Sequence, residues 1–162
     1  MKVRIYYGST IGDTESIAQV LGEKLGAEVV PISLGIKNID CLDLILFGSS
    51  TWGYGELQDD WDDRIDILEN INLLGKKVGV FGTGDQESYG DTFCDAIGII
   101  GKAARNAGGQ IIGMTSREGY NFSDSKALEN NQLIGLALDI NNQDNLTSSR
   151  IEKWVDQLKK EV

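Results

Sequence analysis

The feature that most constrains this fold is an alternation along the chain. Short apolar runs, rich in Val, Ile, Leu and aromatic residues, are each followed by a stretch with helical spacing. Val3–Tyr7 reads as a first strand, and a helix follows from Asp13 or Thr14 with Ile17, Val20, Leu21 and Leu25 on one stripe. Glu28–Ile32 and Leu44–Phe47 read as second and third strands. A helix near Gln58–Asn70 sets Trp61, Ile65 and Leu68 on one face. Lys77–Phe81 is a fourth strand, and the helix after it turns Phe93, Ala96, Ile97, Ile100 and Ala104 inward. Gln110–Met114 is a fifth strand, and a last helix over about Thr147–Lys160 buries Ile151, Trp154, Val155 and Leu158. Trp61 and Trp154 are expected in the core. Five βα units make a doubly wound α/β domain: a five-stranded parallel sheet with helices on both faces.

One irregularity breaks the pattern. Thr115–Asn131 is polar, yet Leu133–Leu138 after it is apolar. This is expected to be an insertion, about residues 115–131, that splits the fifth strand in two. It is either a surface excursion packed by Tyr120 and Phe122 or an element that binds a partner. The 162 residues fit a single domain spanning 1–162, and an apolar fraction of 41% supplies a core.

Composition removes most chemistries. The chain has no histidine, which excludes a Ser-His-Asp triad, histidine-ligated metals and imidazole acid–base catalysis. Its two cysteines, Cys41 and Cys94, form no CxxC motif and are too few for an iron–sulfur cluster. They are expected to be half-buried free thiols. The first strand begins at Val3, so no signal peptide is expected, and no apolar run is long enough to cross a bilayer. The expected setting is a reducing compartment: cytoplasm, or plastid stroma for a processed chain. Twenty-five acids against 15 bases give a net charge of −10. Nucleic acid and anionic membranes are poor partners for such a surface, and a basic protein is a better one. The densest acidic run holds Glu56, Asp59, Asp60, Asp62, Asp63, Asp66 and Glu69 against a single Arg64.

Three stretches after strands carry the remaining information. In a parallel sheet such loops meet at one edge. Gly8-Ser9-Thr10-Ile11-Gly12-Asp13-Thr14 offers the hydroxyls of Ser9, Thr10 and Thr14 together with the first amides of a helix. It matches neither a Walker motif nor GxGxxG. Without a lysine, and with Asp13, it suits one phosphate rather than a polyphosphate. Ser50-Thr51-Trp52-Gly53-Tyr54-Gly55 places a tryptophan among residues too small to bury it. Gly82-Thr83-Gly84-Asp85-Gln86 brings Tyr89 to a matching position. Two aromatics on neighbouring strands can sandwich a flat ring, with the Asp85 and Gln86 amides facing its pyrimidine carbonyls. A flat ring carrying one phosphate points to FMN.

At these residues the chain resembles a long-chain flavodoxin over its whole length. Gly8–Glu15 resembles that family's phosphate loop, Thr51–Gln58 the loop whose tryptophan stacks on the flavin, and Gly84-Asp85-Gln86 with Tyr89, Asp91 and Phe93 the loop whose tyrosine covers the other face. The 115–131 insertion and Gly135–Asp139 followed by Asn141-Asn142-Gln143 fit the same pattern. The resemblance implies a flavodoxin-like fold and non-covalent FMN held by Ser9, Thr10, Ile11, Gly12, Asp13, Thr14, Ser50, Thr51, Trp52, Gly53, Tyr54, Gly55, Thr83, Gly84, Asp85, Gln86, Tyr89, Thr92, Phe93, Cys94 and Asn141. The chain departs from the family with Ile11 where threonine is frequent and Gly53 where asparagine is frequent. Cys94 stands where a polar residue near the pyrimidine edge is common, and Asn141 where some relatives have an acid near the ribityl chain. The implied function is low-potential one-electron transfer by a monomer, with basic redox partners such as ferredoxin–NADP reductase and photosystem I. A flavin-dependent quinone reductase is the alternative. A response-regulator receiver lacks its aspartate, because Gly48-Ser49-Ser50-Thr51 offers none.

Overall fold

The computed structural model describes residues 1–162. Five parallel strand positions form the main sheet: β2 (Glu28–Pro31), β1 (Val3–Gly8), β3 (Leu44–Trp52), β5 (Lys77–Thr83), and an edge made of β6 (Gln110–Ile111) and β10 (Leu136–Leu138). A two-residue β4 (Glu56–Leu57) folds back antiparallel on β3. The central strands β1, β3 and β5 are buried on both faces, so their residues alternate between two cores. Ile45 and Phe47 join Trp61, Ile97 and Ile100 on one side, and Leu44 and Leu46 join Ile17, Leu21, Trp154 and Leu158 on the other. Both core tryptophans have their N–H groups satisfied: Trp61 Nε1 donates to Gly48 O at 2.7 Å and Trp154 Nε1 to Gly113 O at 2.8 Å.

Helices α1 (Asp13–Leu25) and α5 (Ile140–Glu161) cover the second side, and α4 (Asp95–Asn106) with the segment 59–70 covers the first. The inward stripe of α1 is Ile17, Ala18, Leu21 and Leu25, whereas Val20 is exposed. Two expected helices differ from the reading. The helix over 58–70 is two pieces, α2 (Asp59–Asp62) and α3 (Ile65–Asn70), parted at Arg64 with φ −127° and ψ 5°. Like charges at Asp59/Asp62, Asp60/Asp63 and Asp62/Asp66 stand three and four residues apart, a spacing that destabilises a continuous helix. The last helix begins at Ile140, not near Thr147, because Asp139 caps it by accepting from the Asn142 N–H at 3.1 Å. It kinks at Gln143 (φ −135°).

The fifth strand is split as expected, but both pieces are shorter than the apolar runs suggest: the first ends at Ile111, not Met114, and the second begins at Leu136, since Leu133 pairs in a separate small sheet. β6 pairs with the lower half of β5 (Lys77↔Gln110, Val78↔Ile111) and β10 with its upper half (Phe81↔Leu136 to Thr83↔Leu138). Between them β7 (Thr115–Ser116), β8 (Leu128–Glu129) and β9 (Gln132–Leu133) build a small antiparallel sheet, so the excursion reaches slightly past residue 131. Phe122 is buried and Tyr120 half-buried; their rings lie 5.1 and 5.7 Å from that of Phe93. The thiols are not alike: Cys41 is exposed and Cys94 fully buried, both free. β2 stops at Pro31, one residue short, and β1, β3 and β5 run further than expected, β3 as far as Trp52.

Candidate functional site

The carboxyl ends of β1, β3, β5 and β10 open onto a cleft of about 840 Å³, counting its open mouth. This is the switch point of the sheet, where strand order reverses and ligands of doubly wound folds sit.

The first wall is the turn between β1 and α1. Ser9, Thr10, Ile11, Asp13 and Thr14 line the cleft. Gly12 does not, but it caps α1 with φ 97°, a left-handed value that needs glycine. The turn is internally braced: Ser9 Oγ accepts from the Gly12 N–H at 3.1 Å, and Gln58 Nε2 donates to Thr10 Oγ1 at 3.3 Å. Gln58 was missed by sequence reading, since it lies far along the chain and acts from behind the wall. No side chain caps the first amides of α1. Thr14 is 1% exposed, and its Oγ1 is buried without a partner.

The second wall is the end of β3. Ser50, Thr51, Trp52 and Gly53 line the cleft, while Tyr54 points away, 88% exposed, and Gly55 is buried behind the loop. Trp52 Nε1 donates to Ser50 Oγ at 2.8 Å, which fixes the indole with its face open. Thr51 Oγ1 accepts from the Ala96 N–H at 3.0 Å, tying this loop to the start of α4. Trp52 O accepts from the Gly55 N–H at 3.2 Å, closing a turn in which Gly53 holds φ 50°.

The third wall holds Thr83, Gly84, Asp85, Tyr89, Thr92, Phe93 and Cys94. Tyr89 is half exposed. Thr92 Oγ1, like that of Thr14, is buried and unpartnered. Asp85 accepts from the Ser88 N–H at 2.9 Å and from Asn142 Nδ2 at 2.8 Å; the Ser88 backbone bond foremost, then Asn142, Ser88 and Asn141, hold its carboxyl down to about 2. Burial, with Asp139 and Asp95 nearby, pushes the Cys94 thiol well above its ordinary range. Gln86 is behind the wall, 4% exposed, and its N–H donates to Asp139 Oδ2 at 3.1 Å. That amide therefore faces the capping carboxylate rather than the cleft. Asn141 lines the cleft from α5, and so does Ile140, which sequence reading did not single out. No lysine or arginine lines the cleft; its charges are Asp13 and Asp85.

Fold and cleft together define a doubly wound domain whose switch-point site offers helix amides and hydroxyls at one end and two open aromatic faces at the other. The family model described as Flavodoxin matches residues 5–154. The chain is 43% identical to the flavodoxin of Synechococcus elongatus, over 99% of this chain and 97% of that one. It is 44% identical to that of Haemophilus influenzae, over 99% and 95%. In structure it superposes on Fusobacterium nucleatum flavodoxin bound to flavin mononucleotide with a TM-score of 0.93, at 32% identity, covering 99% of this chain and 98% of that one. The chain belongs to the flavodoxin family.

Proposed function

We propose that the three loops hold one FMN per chain, and that the protein shuttles single electrons between larger redox proteins. As a flavodoxin it is an electron-transfer protein and not an enzyme. The observation that carries the site assignment is the convergence in one cleft of the uncapped N-terminus of α1, the hydroxyls of Ser9, Thr10 and Thr14, and the two aromatic side chains Trp52 and Tyr89. When bound, FMN supplies one-electron chemistry that no side chain here can perform. The chain's residues bind and tune. Thr14 and the uncapped α1 amides take the phosphate, using the positive end of the helix dipole in place of a cation. Trp52 and Tyr89 cover the two ring faces. Thr92, Gly84 and Asp85 face the polar ring edge, and Asn141 the ribityl chain. Asp13 and Asp85, with the aromatic faces, disfavour added negative charge in the cleft and so lower the potential. At roughly 10 Å and an effective dielectric near 40, each carboxylate contributes on the order of 1 kcal/mol before screening.

The acidic run flanks the same edge. β4, α2 and α3 follow directly on the Trp52 loop, and Glu56, Asp59, Asp62, Asp63, Asp66 and Glu69 are all exposed. A basic redox protein such as ferredoxin–NADP reductase or photosystem I is the partner this field would steer. The monomeric state and cytoplasmic setting belong to the same proposal. No helix of the structure is long and apolar enough to cross a membrane.

The test is the visible spectrum of purified protein, followed by titration of the stripped chain with FMN. A yellow protein with one FMN per chain supports the proposal. A colourless chain that takes up no FMN overturns it.

A further inference from the structure

The Tyr89 loop, residues 84–94, lines one wall of the cleft; it is exposed at 87–89 and at Asp91, buried at Gln86, Phe93 and Cys94, and tied at both ends to other parts of the chain. On the near side stands Gln86. Its N–H donates to Asp139 Oδ2 at 3.1 Å, at the start of α5, and its side-chain Oε1 accepts from the Asn121 N–H at 2.5 Å, in the insertion. On the far side, Gly90 O accepts from the Ser123 N–H at 2.7 Å, the Asp124 N–H at 3.0 Å and Ser123 Oγ at 2.9 Å. Beyond it, Asp95 Oδ1 accepts from the Lys126 N–H at 2.7 Å. The two sides also touch each other: a Cβ on Gly90 would fall 2.6 Å from Gln86 O. Between these ties lies Tyr89, half exposed.

We propose that Gln86 is a positioning residue: through it, the insertion and the first turn of α5 fix the loop that carries Tyr89, and so set how that ring closes over the cleft. Gln86 does not line the cleft. Its buried side chain spans from the loop to Asn121, and nothing else accepts that N–H. Asn121 itself is exposed, so removing the acceptor costs the tie between loop and insertion rather than a buried polar group, and frees one end of the loop. The insertion is then part of the site's rigidity, and Tyr89 is ordered before a ligand arrives.

This inference rests on the proposal that the cleft takes FMN, and the experiment separates the two. Gln86→Met keeps length and burial but removes the acceptor. Leu25→Ala, at the far end of α1, serves as a control for general destabilisation. In the stripped chains, amide exchange at Ser88, Tyr89 and Asp91 is expected to quicken about tenfold in Gln86→Met beyond the change in Leu25→Ala. FMN is expected to bind Gln86→Met about tenfold more weakly, or about 1.4 kcal/mol, with a shifted potential for the one-electron couple. Leu25→Ala should leave binding and potential unchanged. Ser123→Ala removes one exposed bond on the far side without threatening the fold, and is expected to quicken the same amides about threefold. If exchange in the loop follows global stability alone in both variants, the positioning role is refuted. Failure of the wild-type chain to bind FMN refutes the proposed function, while the exchange measurements still decide the role of Gln86.

Discussion

Thr14→Val is the sharpest test of the phosphate end of the cleft, because its two consequences have opposite signs. The side chains are nearly isosteric, so packing around this 1% exposed residue is preserved. In the stripped chain Thr14 Oγ1 is buried with no protein partner, and such a group carries a desolvation penalty of about 1–3 kcal/mol. Replacing it by a methyl relieves at least the lower end of that range. For a chain of this length, about 1 kcal/mol corresponds to a rise in Tm of about 2–4 °C. With FMN bound, the same change deletes a hydrogen bond to a doubly charged phosphate, worth about 1.5–3 kcal/mol. The FMN dissociation constant should therefore rise about 10- to 150-fold. Calorimetric melting of the stripped protein and fluorescence titration with FMN measure the two arms. Riboflavin, which has the ring but no phosphate, should bind wild type and variant equally. Unchanged FMN affinity would refute the reasoning. An equal loss for riboflavin would show that Thr14 acts on the loop and not on the phosphate.

Other outcomes follow from the remaining walls. Trp52→Ala and Tyr89→Ala should each weaken FMN binding by about 1 kcal/mol or more through lost aromatic burial, read in the same titration; two unchanged affinities would place the ring elsewhere. Gly53→Ala puts a Cβ on a residue at φ 50°, 3.2 Å from the Glu56 carboxyl carbon, at a strain of about 1 kcal/mol. Where that strain falls on the one-electron-reduced state alone, the two one-electron potentials shift by about 40 mV each in opposite directions, and a potentiometric titration should show them moving closer by roughly 90 mV; unchanged spacing would mean that the strain is shared equally by all redox states. Gly55→Ala is no control for this, since its Cβ would meet Asp95 Oδ2 at 2.4 Å. Neutralising Asp59, Asp60, Asp62 and Asp63 together should slow association with a basic partner and flatten its salt dependence while moving the potential less, as stopped-flow mixing at several ionic strengths would show. Because the folded chain lowers the Asp85 carboxyl to about 2, its stabilisation is fully present above the ordinary carboxylate range and is lost as pH falls toward 2. Urea midpoints measured down that range should fall less steeply in Asp85→Asn.

The parallel sheet was legible because its strands are short β-branched and aromatic runs, and the split strand because a polar tract separates two apolar ones. The lining of the cleft was legible where side-chain type mattered: hydroxyls in the first loop, exposed rings in the other two. Features set by contacts between distant residues were not. Nothing local shows that the Gln86 amide is turned toward Asp139, or that Gln58 braces Thr10. Asn141 to Asn145 fell outside the expected last helix because each residue is polar and offers no apolar stripe, and only the capping geometry of Asp139 reveals the earlier start. Val20 keeps helical spacing but falls at the rim of the buried stripe, where period alone does not distinguish edge from centre.

The divided edge strand has a consequence for how this chain tolerates change in length. β6 and β10 are each registered on β5 by their own hydrogen bonds, at Lys77–Val78 and at Phe81–Thr83. The path between is anchored by buried Ile112, Phe122, Ala127, Leu133 and Ile134, but its tip at Asn130–Asn131 is exposed between β8 and β9. That turn is thus a natural splice: extension or a grafted module there alters neither the order of the sheet nor the register of the strand that delivers Leu138 and Asp139 to the cleft.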